Sequence, residues 1–221
     1  MKLSFGLTLK PHEKYVLRRK FTHISGVTYV FCIWFFTELF GFSLAVMLLV
    51  AIVMFMMSIY VAYNFLKFLG IHVKSLGKLW KTFGSPEFLN GEEYYWDVCW
   101  LGLFLSISIV LSLLVADVRI AYVMACTVIL GDGFAGVVGT IAGKHRIPIN
   151  PKKTFEGHIS GFLVAFVVSY MLTQSFLMSL IGTGVGMIVE ALPSKISDNA
   201  TVPISTTLVL IFLKFVFGGF L

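Results

Sequence analysis

Long apolar runs, separated by short clusters of charge, organise this chain. They fall at about residues 24–41, 43–66, 96–116, 119–142, 157–177, 178–192 and 200–220. A helix that crosses a bilayer needs roughly 20 mostly apolar residues, so the pattern predicts seven transmembrane helices. The sixth is short and carries Gly182, Gly184 and Gly186; it is expected to be tilted, broken or buried among its neighbours. The first run begins only after Arg18-Arg19-Lys20, with no small-residue cleavage site behind it, so no signal peptide is expected. The prediction is one all-α, polytopic membrane bundle over residues 1–221. It comprises a basic juxtamembrane segment at 1–23, an interfacial segment at 67–95 and a polar loop at 143–157.

Composition sharpens this picture. Apolar residues make up 58% of the chain and charged ones 13%, with a mean hydropathy of +0.92. A soluble domain carries about 25% charged residues, so this chain cannot cover a water-facing surface. The 22 Phe and the low charge exclude disorder. Three cysteines, Cys32, Cys99 and Cys126, all lie in apolar runs and read as packing residues, not a disulfide scaffold.

The 17 Lys and Arg outnumber 11 Asp and Glu, and their distribution orients the chain. All except Arg119 and Lys214 lie before the first span or after the second, fourth and sixth. Positive charge stays inside, so the N-terminus is expected in the cytoplasm. This topology accounts for the basic excess and excludes nucleic acid as a partner. The 67–95 segment sets Leu76, Leu79, Trp80 and Phe83 among lysines. It reads as an amphipathic helix in the interface or as a loop held to anionic headgroups.

Ionisable groups within a span are expensive and mark functional sites. Asp132 stands inside the fourth apolar run, in Gly131-Asp132-Gly133-Phe134-Ala135-Gly136, too deep for its short side chain to reach water. Gly139 and Gly143, four residues apart, read as a small-residue packing face; packing does not explain an aspartate. Glu190 closes the sixth run and Asp198-Asn199 opens the seventh. Taken singly, Glu190 is equally an interfacial carboxylate and Asp198 a helix cap. Together, Asp132, Glu190 and Asp198 come from three spans and share one face of the bilayer. Mg²⁺ suits such a set, because it takes one or two carboxylates together with substrate phosphates.

Beside them lies a cationic stretch containing Lys144, Arg146, Lys152 and Lys153, followed by Thr154, Glu156 and Gly157. Cations before a helix start favour an anion. At the N-terminus, Arg19, Lys20 and His23 either anchor the first span or face the same pocket. The residues thus describe a cytoplasm-facing cavity with a divalent-metal site and a clamp for a polyphosphate, such as a nucleoside triphosphate. The second reactant arrives from the lipid.

The order of these blocks resembles the CTP-dependent polyprenol kinase family, which includes dolichol kinase, phytol kinase and a diacylglycerol kinase. The resemblance rests on Asp132-x-x-Ala135-x-x-x-Gly139, Gly143 and Lys152-Lys153-Thr154-x-Glu156-Gly157. It extends to Glu13 with Arg19-Lys20-x-x-His23, and to Glu190 with Asp198-Asn199-x-x-x-Pro203. Pro151-Lys152-Lys153-Thr154-x-Glu156-Gly157 is similar to CDP-diacylglycerol synthases as well; the first and last blocks favour the kinases. The chain looks like a minimal core of the family, without the extra amino-terminal spans of eukaryotic dolichol kinases.

The resemblance implies transfer of the γ-phosphoryl group of CTP to the hydroxyl of a membrane isoprenoid alcohol, dolichol or a shorter polyprenol. Asp132 and Asp198 would hold Mg²⁺, and Glu190 would complete that site or act as base. Lys144, Lys152, Lys153, Thr154, Glu156, Gly157, Gly139 and Gly143 would bind the nucleotide. Arg19, Lys20 and His23 would close the cavity, and Asn199 would read ribose or base. The expected setting is the plasma membrane in a prokaryote or the endoplasmic reticulum in a eukaryote. The Gly-rich sixth run can pack within one protomer or between the two of a homo-oligomer. One alternative is a lipid cytidylyltransferase, in which a lipid phosphate attacks the α-phosphate. Another is a transporter with an intramembrane ion site, against which stand the clustering of charge at one face and the absence of an inverted repeat.

Overall fold

The computed structural model describes residues 11–71 and 92–218. Nine helices and one small hairpin are seen among them. In chain order they are α1 (Pro11–Ser25), α2 (Val27–Phe40), α3 (Phe42–Phe68), α4 (Glu92–Leu114), α5 (Val118–Cys126) and α6 (Asp132–Ala142). Then come β1 (Arg146–Ile147), β2 (Asn150–Thr154), α7 (Phe155–Thr173), α8 (Phe176–Ala191) and α9 (Asp198–Phe217). Every apolar run predicted from the sequence falls on helix. Five helical stretches are long and apolar enough to cross a membrane: Arg19–Phe40, Phe42–Tyr63, Val118–Ala142, Phe155–Thr173 and Asp198–Phe217. Trp100–Leu114 and Phe176–Ala191 are shorter apolar helices. The proposed amphipathic helix, with Leu76, Leu79, Trp80 and Phe83, lies outside the described residues.

The bundle is built around one buried helix. α5 and α6 run on through a π-helical turn, Thr127–Gly131, as a continuous rod of 25 residues, roughly 37 Å long at 1.5 Å per residue. Residues 120–131 are all buried. α2, α4, α7, α8 and α9 surround the rod, and the largest core cluster joins Ile33, Val46, Ile109, Tyr122 and Ile129. The outer helices turn large apolar groups outward, among them Phe31, Met47, Phe55, Leu163 and Phe212. That arrangement suits a hydrocarbon solvent, in which each helix satisfies its own backbone.

Local chemistry sets the boundaries. Gly41, between α2 and α3, has φ 79°, and its N–H bonds to the Thr37 carbonyl, a left-handed stop that glycine adopts without strain. Asp117 caps α5, accepting from the Arg119 N–H at 3.1 Å. Ser197, not Asp198, caps α9, which leaves the Asp198 carboxylate for other contacts.

Two segments bear on the sequence reading. Residues 11–23 of the basic juxtamembrane segment, expected either to anchor the first span or to face the pocket, lie in α1, which packs on α6. The 143–157 segment, expected as a loop in an all-α fold, holds an antiparallel hairpin pairing Arg146 with Thr154 and Ile147 with Asn150. Pro148 and Ile149 form its turn, and Ile147 anchors it by burying its side chain. Its short strands carry too little apolar alternation to have announced themselves.

Candidate functional site

Asp132 owes its place to the π-helical turn. Its N–H reaches back to the Thr127 carbonyl, a five-residue bond that offsets the helix by one residue; such bulges cluster at functional sites. Small residues on α6 then admit neighbours on two sides. Gly133 and Gly136 face α1, where a Cβ would overlap Ile24 and the stem of Lys20. Lys20 lies along this groove and its ammonium pairs with Asp132 Oδ1. His23, one turn on, brings Nδ1 to 3.5 Å from Asp132 Oδ2. Arg19 and Lys20 thus line the cavity, and His23 stands behind Asp132.

The other side of α6 meets α7 through two ladders of small residues. Gly131, Ala135, Gly139 and Gly143 repeat at intervals of four, as do Gly157, Gly161 and Ala165. The helices approach so closely that a Cβ on Gly139 would lie 2.8 Å from Thr154 Oγ1. Thr154 caps α7, accepting from the Gly157 N–H at 3.2 Å. The hairpin therefore delivers its last residues to the N-terminus of α7, against the C-terminal end of α6.

Lys153 reaches across this junction. Its ammonium donates to Glu190 Oε1 at the end of α8 and, at 2.7 Å, to Asp198 Oδ2 at the start of α9. Burial alone would lower the Lys153 pKa, but the adjacent Glu190 and Asp198 carboxylates raise it above its ordinary value. The second Glu190 oxygen, Oε2, contacts His158 Nε2. His158 was not singled out from the sequence. The signal was its position four residues after Thr154, on the same face of α7.

These groups line a cavity of about 800 Å³. Arg19, Lys20, Arg146, Lys152 and Lys153 supply its positive charge, and Glu13, Asp132, Glu190 and Asp198 its negative charge. Gly139, Gly143 and Thr154 form part of its wall. Five residues expected at the nucleotide, His23 among them, are not among those that line this cavity. Lys144 is exposed and, like Asn199, is not among the cavity-lining residues. Gly157 packs on the Ala135 carbonyl. Glu156 turns to His145, whose N–H lies 3.2 Å from both carboxylate oxygens and whose Nδ1 lies 2.6 Å from Oε1.

The expected metal set divides. Among the described residues, no three His, Cys, Asp or Glu side chains gather as a metal cage, because lysines stand between the carboxylates. Asp132 pairs with Lys20, while Glu190 and Asp198 share Lys153. Mg²⁺ needs only one or two carboxylates when phosphates complete its shell. Asp132 and Asp198 fit that requirement, both lining the cavity. Glu190 is 3% exposed; Lys153 holds its Oε1, while its Oε2, beside His158 Nε2, has no hydrogen-bond partner among the described residues.

At the far end of the rod a separate charged cluster closes the bundle. Arg119 donates to Asp117 from Nε and Nη2 at 2.9 and 2.8 Å. Lys214 of α9 donates to Asp117 at 3.2 Å and to the Val115 carbonyl at 2.8 Å. The two basic residues set apart by the charge pattern thus share one carboxylate.

Comparison with known proteins bears on what such a cavity does. The chain is 30% identical over 213 residues to a probable phytol kinase 3, chloroplastic, of Glycine max, covering 87% of this chain and 61% of that one. It is 30% identical over 142 residues to a probable phytol kinase 2, chloroplastic, of Oryza sativa subsp. japonica, covering 57% and 44%. A farnesol kinase, chloroplastic, of Arabidopsis thaliana is 28% identical over 137 residues, covering 55% and 42%. The chain spans about half the length of the curated relatives it matches. No protein-family model matches the chain, and no solved structure is similar to it.

Proposed function

We propose that this chain, a homologue of phytol and farnesol kinases, transfers the γ-phosphoryl group of CTP to the hydroxyl of a membrane isoprenoid alcohol. The observation that carries the reading is the cavity itself. Cations from α1 and the hairpin line it beside carboxylates from α6 and α9, at one end of an apolar bundle. The names of the relatives favour phytol- or farnesol-like alcohols ahead of dolichol as acceptors. CTP as donor rests on the motif resemblance.

Phosphoryl transfer asks mainly for positioning and charge neutralisation. Lys152 and Lys153 would take the β- and γ-phosphate oxygens at the mouth of α7, with Arg146 beside them and Arg19 and Lys20 closing from α1. Asp132 and Asp198 would hold a Mg²⁺, whose charge offsets that of the phosphates. In the reaction the alcohol oxygen bonds to the γ-phosphorus, the bond to the β-phosphate oxygen breaks, and CDP leaves. The hydroxyl proton passes to a base or to water.

Without nucleotide, Lys20 and Lys153 neutralise the carboxylates. Substrate phosphates would compete for these lysines, freeing Asp132 and Asp198 for the metal. The charge pattern supports seven spans, a cytoplasmic N-terminus and a cytoplasm-facing cavity.

The test is a product assay on the purified full chain in detergent, with Mg²⁺, either an alcohol (phytol or farnesol) or a lipid phosphate as acceptor, and CTP labelled at the α or the γ phosphate. Label passing from γ to the alcohol, with CDP released, is expected. Label passing from α to a lipid phosphate, with pyrophosphate released, would replace the kinase reading by cytidylyl transfer.

A further inference from the structure

We infer that Glu13 selects the base of the donor nucleotide by accepting a hydrogen bond from the exocyclic amine of cytosine. The inference rests on the kinase reading above and gives the base a partner. Asn199, expected to read ribose or base, does not line the cavity.

α1 runs antiparallel to α6 along the cavity, with Ile24 opposite Gly133 and the Lys20 stem opposite Gly136. Glu13, Val16 and Lys20 follow the i, i+3, i+7 spacing of one helix face, and all three line the cavity. On α6 the lining residues run from Asp132 through Gly136 and Gly139 to Thr140 and Gly143. The cavity therefore has two ends. At the inner end Lys20 pairs with Asp132, and Lys153 pairs with Glu190 and Asp198. Two helical turns back along α1, roughly 10 Å at 1.5 Å per residue, Glu13 stands level with Gly143 at the outer end. It is partly buried there.

A lipid alcohol comes from the bilayer, so the phosphate it attacks belongs at the inner end, beside Asp132. The triphosphate then runs outward past Thr154 and Lys152, and the nucleoside falls beside Glu13 and Val16. Of the described carboxylates that line the cavity, Glu13 alone stands at this end. A carboxylate offers only acceptors. It takes a hydrogen bond from the amine of cytosine and repels the carbonyl oxygen that uracil carries in the same place. A site built to bond a group rejects an analogue that lacks it, because the site's own polar group is left unpaired. Val16, one turn along the same face, gives the ring an apolar surface. The contact is remote from the transferred phosphoryl group and is made equally in the ground and transition states, so it acts on KM and not on kcat. Glu13 also lies in the first turn of α1, where a carboxylate favours the helix dipole. That role is blind to the base, and the two are separable.

The experiment uses the full chain in one detergent, with Mg²⁺ and no acceptor. Calorimetry reads the affinities of CTP, UTP and ATP for wild type, Glu13→Gln and Glu13→Ala, and thermal unfolding checks that each variant is folded. Wild type is expected to bind CTP at least about tenfold more tightly than UTP, the scale of a hydrogen bond to a charged group. The Gln amide can turn its oxygen to cytosine or its NH₂ to uracil. Glu13→Gln should therefore weaken CTP, strengthen UTP and bring the two close to equal, with little change in kcat for CTP. Glu13→Ala should weaken CTP without weakening UTP; if it fails to fold, the Gln variant carries the test.

Equal affinity of wild type for CTP and UTP would overturn the inference. So would a Glu13→Gln that weakens both nucleotides alike, the mark of a role at the helix end, or one that leaves their ratio unchanged. Tighter binding of ATP than of CTP by wild type would overturn the donor proposed above, while the contrast between CTP and UTP would still decide on Glu13.

Discussion

Gly161 of α7 rests on the carbonyl oxygen of Gly131, with no space between them for a side chain. This contact brings α7 against the π-helical turn that precedes Asp132. A methyl group there would push apart the two helices that frame the cavity. Gly161→Ala is therefore expected to destabilise the protein by about 1–3 kcal/mol, the usual cost of overpacking. Gly184→Ala gives the contrast, because the nearest atom to its Cβ is 4.0 Å away on Phe162. There the gain in helix propensity, about 1 kcal/mol at most, should dominate. Thermal unfolding of both variants in one detergent checks this; equal destabilisation would show that the close approach is not what sets the packing.

Asp132 is expected to be indispensable for a different reason. Its carboxylate meets Lys20 and His23 in a place where neither glycine neighbour offers an alternative anion. Asp132→Asn keeps the shape and removes the charge, so activity should fall by at least about a hundredfold, the scale of a lost electrostatic stabiliser. Lys20→Met should lower the unfolding temperature, because it leaves the buried Asp132 carboxylate beside His23 alone. Initial rates with CTP and farnesol read the first outcome. Activity of Asp132→Asn within severalfold of wild type would remove this residue from the reaction.

How much of this was legible beforehand depends on the range of the interaction. Helix positions follow from apolar runs, which are local, and all of them appear. The convergence of Asp132, Lys153, Glu190 and Asp198 on one cavity was suggested by topology and motif order together. What escaped is pairwise and distant. No period in the sequence says that Lys153 bridges two carboxylates 37 and 45 residues away, or that Glu156 meets His145. The second ladder of small residues, Gly157, Gly161 and Ala165, was hidden because its first member lies inside the motif that drew attention for its chemistry. His158 was hidden because histidine beside a motif has no fixed meaning until its partner is known.

Acid should loosen the far end of the bundle in a defined way. Burial pushes the Asp117 carboxyl up, but Arg119 and Lys214 outweigh it and hold the group below its ordinary 3.8. A carboxyl whose folded pKa is depressed adds stability above its unfolded value and loses it as pH falls through the folded one. Wild type should therefore lose part of its stability below about pH 4. Asp117→Asn should start less stable at pH 7 and show a shallower decline. Unfolding temperatures of both proteins between pH 3 and 7 check the sign; parallel curves would mean that this cluster adds nothing that depends on its charge.

Glu156 and Lys153 lie three residues apart, yet the structure gives them opposite tasks, and mutation should separate them. Glu156 accepts from His145 while the His145 carbonyl accepts from Phe155 N–H at 2.9 Å, so the pair closes the base of the hairpin. Half of this contact is made by exposed groups, His145 having 79% of its side chain accessible. Exposed pairs contribute about 1 kcal/mol or less, so Glu156→Gln should change KM for CTP by roughly fivefold at most. Lys153→Met instead removes the ammonium from Glu190 Oε1 and leaves that buried carboxylate beside His158. It should lower kcat/KM for CTP by at least about a hundredfold and lower the unfolding temperature as well. If Glu156→Gln proves as damaging as Lys153→Met, Glu156 is touching the nucleotide, and the hairpin must open from the form described here to let it do so.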